Sequence, residues 1–77
     1  MRPPFAAPVE VGRRIRTLRW AKGLSQRELA ERAGVGSRTV ANVEAGEGMT
    51  VATLAALAGV LGASADDLLN PRRSVRQ

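Results

Sequence analysis

The side chains that could do chemistry in this sequence are mostly arginines. Eleven of its twelve basic residues are arginine, set against seven acids, and the formal net charge is +5. A guanidinium presents a planar fork of donors that matches phosphates and base edges in pairs. What is missing narrows the chemistry further. There is no histidine and no cysteine, which removes the commonest metal ligand, the commonest general base and every thiolate. The serines, the single lysine and the scattered acids form no nucleophile–base or metal constellation. Neither catalysis nor a metal or other cofactor is therefore expected. What remains is recognition by hydrogen bonds and charge. A basic domain points to a polyanionic partner, and the balance alone leaves DNA, RNA and an anionic membrane open.

Short helices must position these groups. A chain of 77 residues makes one domain. Residues 1–8, with three prolines, read as a flexible arm and the basic residues 71–77 as a tail, leaving 9–70 as the folded unit. Val11, Ile15 and Leu18 recur at helical spacing on one face of a first helix, and Gly23 lies where it would end. Ser25-Gln26-Arg27-Glu28 has the capping-box pattern, with Leu24 and Leu29 placed as a hydrophobic staple. That second helix can run only to about Ala33, because Gly34 follows.

After Gly34-Val35-Gly36, a third helix spans Ser37 to Glu44. Val40 and Val43 point inward, while Ser37, Arg38, Ala41 and Asn42 lie on the solvent side. Thr50 caps a fourth helix with Val51, Leu54, Leu57, Ala58 and Leu61 as its buried stripe. Ser64 caps a fifth turn carrying Asp66 and Asp67 and ending at Leu68-Leu69. The expected fold is all-α, five short helices with tight turns. Trp20, Val60 and Leu69 are the candidates for apolar surface left exposed.

Other signals favour plain explanations. Gly34-Val35-Gly36 has no Gly-Lys-Ser/Thr after it and reads as turn chemistry rather than a phosphate cradle. Asp66-Asp67 fits helix capping better than metal binding. Met1-Arg2 leads into Pro3-Pro4 and no apolar run, unlike a secretory signal. The segment from Met49 to Ala65 is too short and too diluted to span a membrane. A cytoplasmic protein of bacterial or phage origin, nucleoid-associated when bound, is expected.

Several segments in order resemble the Cro/C1-type (XRE) helix-turn-helix family. They are Ile15-Arg16-Thr17-Leu18-Arg19, Gly23-Leu24-Ser25-Gln26-Arg27-Glu28-Leu29-Ala30, Gly34-Val35 and Val40-Ala41-Asn42-Val43-Glu44-Ala45-Gly46. The pattern continues through Leu54, Leu57-Ala58, Leu61-Gly62 and Ser64-Ala65-Asp66-Asp67-Leu68-Leu69, so it covers residues 11–69. The resemblance implies a lambda-repressor-like domain, a homodimer on a pseudo-palindromic operator in double-stranded DNA, and a role as transcriptional regulator, most often repressor. It implies base reading by Ser37, Arg38, Ala41 and Asn42, and phosphate contact by Ser25, Gln26, Thr39, Arg14 and Arg19. It also implies that Arg19 clamps Glu44 and thereby ties the first helix to the third.

The chemistry of these residues agrees with such roles. Arginine can donate twice to guanine, asparagine can pair with adenine, and alanine can meet a thymine methyl. The departures lie at Gly36, where a capping serine or threonine is usual, and at Glu47, where relatives often carry a phosphate contact. Arginines 13, 14 and 16, or 72, 73 and 76 of the tail, are the compensating cations. A helix-turn-helix adaptor that binds a protein partner instead of DNA is the alternative.

Overall fold

The computed structural model describes residues 6–70, which form five α-helices and no strand among them. These are α1 (Pro8–Ala21), α2 (Gln26–Ala33), α3 (Ser37–Glu44), α4 (Val51–Leu61) and α5 (Ala65–Leu69). Each begin and end has a local cause. Pro8 occupies the first turn of α1, where its missing N–H removes a donor that would have no partner anyway. Ser25 and Ser64 each complete a reciprocal capping box, with Glu28 and Asp67 respectively, and Thr50 caps α4 by accepting from the amide of Thr53.

Alpha-two stops at Gly34, whose φ of 74° is left-handed. The Val35 amide donates to the Ala30 carbonyl at 3.0 Å, and the Gly34 amide to that of Glu31 at 3.4 Å. This double bond pattern closes a helix end and turns the chain sharply, and a side chain at Gly34 would resist the required backbone. The turn therefore sets the angle between α2 and α3.

The core draws on all five helices. Val11, Ile15, Leu29, Val40, Val43, Leu57 and Leu68 are fully buried, supported by Leu54, Ala58 and Leu61. Burial of each large aliphatic side chain contributes about 1.5–3 kcal/mol, which is what holds helices as short as α2 and α3 in place. Val51 differs from the expected stripe. It shares the phase of Leu54 but stands at the first position of α4, overhanging the core, and is exposed. Val60 and Leu69 are half-buried against the core rather than left over, whereas Trp20 is exposed.

The folded unit also starts earlier than residue 9. Ala6 is buried and its amide donates to the Leu69 carbonyl, at 2.6 Å. With Pro8 already in α1, residues 6–8 belong to the domain; the remainder of the expected arm and the whole expected tail fall outside the described residues. No helix of the described residues is long and apolar enough to cross a membrane.

Two glycines inside helices have opposite meanings. A Cβ on Gly12 would lie 2.5 Å from the Val43 carbonyl oxygen and 2.6 Å from that of Glu44. Gly12 is thus the point where α1 meets the end of α3 backbone to backbone. A Cβ on Gly59 would meet nothing within 4 Å. Gly12→Ala should therefore cost about 1–3 kcal/mol through overpacking, while Gly59→Ala should stabilise by about 0.5–1 kcal/mol. Thermal denaturation should move the two melting points in opposite directions; a neutral Gly12→Ala would contradict the close approach.

Candidate nucleic-acid interface

The turn at residues 34–36 presents one face of α3 outward. Ser37, Arg38 and Asn42 are exposed, Thr39 and Ala41 half-buried, and the opposite face is sealed by Val40 and Val43. At the N-terminal end of α2, Ser25 is exposed and Gln26 half-buried. Gly36 leaves α3 without a side-chain cap, as its identity requires. Just past α3, the Glu47 amide donates to the Asn42 carbonyl at 2.8 Å, which fixes an exposed acid beside the last of these polar residues.

Behind this surface lies a buried carboxylate. Glu44, 4 % exposed, ends α3, so its charge meets the negative end of the helix dipole and needs compensation. Arg19 supplies it in a two-pronged pair: Nε donates to Oε2 at 2.6 Å and Nη2 to Oε1 at 3.0 Å. The third guanidinium nitrogen, Nη1, donates to the Leu24 carbonyl at 2.9 Å. Gln26 Nε2 donates to Oε1 at 3.1 Å, and Arg16 Nε lies 3.5 Å from the same oxygen. One carboxylate thus ties α1, the turn after it, α2 and α3 together.

Burial alone would raise the Glu44 pKa, but the hydrogen bonds from Arg19 and Gln26, with the charges of Arg19 and Arg16, outweigh it and hold the carboxyl below its ordinary range. The Arg19 pKa is raised in return, mainly by its hydrogen bond to Glu44.

Two of the expected phosphate contacts are committed elsewhere. Arg19 is 8 % exposed with all three nitrogens engaged inside the protein, although its guanidinium carbon also lies 5.9 Å from the centre of the Trp20 ring. It clamps helices, and its three hydrogen bonds all run inward. The side chain of Arg14 is 14 % exposed. Its Nη1 donates to the carbonyls of Leu68 at 2.7 Å and Asn70 at 2.9 Å, and its Nη2 reaches Glu10 at 3.5 Å. That places a cation on carbonyls at the end of α5, where it is favoured. Arg14 closes the fold at the end of α5.

Gly12 and the capping role of Arg14 were not foreseen from the sequence, whereas Arg16 was already among the compensating cations. A glycine on the apolar face of a helix was the one available signal, because its cost of about 1 kcal/mol asks for a packing reason.

A known architecture matches this arrangement. A family model described as a helix-turn-helix domain matches residues 10–70. The chain belongs to that family. Among solved structures, this helix-turn-helix protein is similar to the clp gene regulator ClgR from Corynebacterium glutamicum. The two are 31 % identical over 86 % of this chain and 71 % of that one, with a TM-score of 0.74. It is 38 % identical to the restriction-modification controller protein C.AhdI from Aeromonas hydrophila, over 78 % of this chain and 92 % of that one, with a TM-score of 0.73. The biofilm master regulator SinR, solved in complex with DNA, is 33 % identical over 75 % of this chain and 95 % of that one, with a TM-score of 0.70. No curated protein matches the chain. These neighbours are regulators of the Cro/C1 type, and the all-helical fold is theirs.

The clamp makes stability depend on acid in a definite direction. A carboxyl whose folded pKa is depressed adds stability above its unfolded pKa and loses it as pH falls through the folded value. The Glu44 contribution should therefore be complete at neutral pH and disappear below the ordinary carboxylate range. Arg19→Met should cost about 3–5 kcal/mol at neutral pH, because it strands a buried charge. In Arg19→Met/Glu44→Gln the loss should be smaller than the sum of the single changes. Denaturant titrations of the four proteins measure the coupling, and a value of zero would remove the clamp.

Proposed function

We propose that this protein binds double-stranded DNA sequence-specifically and regulates transcription without catalysis, as a homodimeric repressor on a pseudo-palindromic operator. The observation that carries this reading is the outward face of α3. Ser37, Arg38 and Asn42 are exposed on a short helix whose angle to α2 is set by the Gly34 turn. A helix so presented fits the major groove, where Arg38 can donate twice to a guanine and Asn42 can pair with an adenine. Ala41 and Ser37 complete the base-reading set, and Ser25, Gln26 and Thr39 flank it as backbone contacts. The basic balance of the chain supplies the sequence-independent part of the affinity.

Two-fold pairing of the chain would place two such helices in successive major grooves, about 34 Å apart. SinR, to which this chain is similar, is solved in complex with DNA, which supports the DNA reading by similarity.

Selection of sites from random duplex DNA tests the proposal. Arg38→Ala should relax preference at one base pair by about 1–3 kcal/mol, and Gln26→Ala should weaken binding to all sequences alike. If no motif is enriched at moderate salt, the α3 face does not read DNA, and the adaptor alternative, binding a protein partner, takes its place.

A further inference from the structure

With Arg14 and Arg19 occupied inside the fold, the flank of α3 needs another cation to hold a polyanion. The geometry of the Glu44 cluster points to one. The carboxylate carries a single negative charge, and Arg19 already meets both of its oxygens at 2.6 and 3.0 Å. Gln26 adds a third donor, to Oε1 at 3.1 Å. Arg16 adds only an ion-pair contact, its Nε 3.5 Å from that same oxygen, with a 3.4 Å hydrogen bond from Nη2 to the Glu44 backbone carbonyl.

An oxygen of a carboxylate offers about two lone-pair directions; Arg19 and Gln26 take both at Oε1, so the longer Arg16 contact there is charge attraction alone and the weakest of the three. One negative charge also leaves one of the two guanidiniums uncompensated. The surplus lies with Arg16, whose side chain is 43 % exposed while that of Arg19 is 10 % exposed. Sharing an acceptor oxygen with Gln26 keeps Arg16 beside the half-buried amide at the start of α2.

We propose that Arg16 is a phosphate anchor: in the complex its guanidinium leaves the crowded Glu44 oxygen for a backbone phosphate of the duplex next to Gln26. The inference rests on the DNA-binding reading and adds a contact to it. Arg19 and Gln26 stay on the carboxylate, so the helix clamp survives the exchange. Release of Arg16 costs little because its bonds are long, and the phosphate offers a shorter, charge-assisted, two-pronged partner.

The test compares wild type, Arg16→Ala and Arg16→Lys on a mixed-sequence synthetic duplex over a series of salt concentrations, alongside their melting temperatures. Loss of one phosphate contact should flatten the log–log salt slope by about 0.9, so the affinity lost between about 50 and about 200 mM salt becomes about 3.5-fold smaller in Arg16→Ala. Arg16→Lys, which keeps the charge, should restore the slope, and neither variant should melt far from wild type. An unchanged slope in Arg16→Ala, or weaker binding that simply follows a lower melting temperature, would make Arg16 a brace for α3 and overturn the proposal. Wild type failing to bind the duplex at any salt would overturn the DNA-binding reading itself, and the anchor with it.

Discussion

The structure depends on one buried negative charge. Glu44 sits at the end of α3, nearly sealed from water, where both desolvation and the helix dipole oppose its ionised form. It remains ionised because Arg19 meets it squarely and Gln26 adds a further donor. Replacing such a pair with apolar residues can be neutral or even stabilising, so strength alone does not account for it. Its geometric effect is specific. The donors come from α1 and α2 and the acceptor from α3, so the bonds form only when the three helices stand in one relation. A helix that must fit a groove gains from that constraint.

The other contacts act on the same relation from different sides. Gly12 lets α1 touch the last carbonyls of α3, which no side chain would allow. Gly34 sets the turn between α2 and α3 through two backbone bonds. Arg14 and the Ala6 amide fasten the C-terminal end of α5 to the start of the domain, while the Ser64 capping box closes its other end. Together they hold the α3 face rigidly, and its exposed side chains have no hydrogen-bond partner among the described residues. Rigidity of this kind lowers the ordering cost of binding.

Charge is distributed with a similar division. Arg14, Arg16 and Arg19 lie on one helix within six positions of each other, yet they have different surroundings. Arg14 faces carbonyls, Arg19 faces a buried carboxylate, and Arg16 stays half in water. Composition counts the three alike. Only the exposed one has charge available to a partner, so the net charge of a small basic domain overstates what its surface can offer.

Much of this was readable from residue types and spacing. Helix boundaries followed from Ser25, Gly34, Thr50 and Ser64, because caps and left-handed turns are local chemistry that depends on near neighbours. The limits of α3 and its inward Val40 and Val43 followed from period, and the Arg19–Glu44 pair from the family resemblance. What the sequence could not decide was which of several like groups would be buried. Val51 shares the phase of the core stripe yet overhangs it, Ala6 looks like arm yet bonds to Leu69, and Arg14 looks like a surface cation yet caps α5. Those outcomes depend on distances between segments far apart in the chain, which only packing brings together. Local order was written in the sequence, and tertiary structure assigned each arginine its partner.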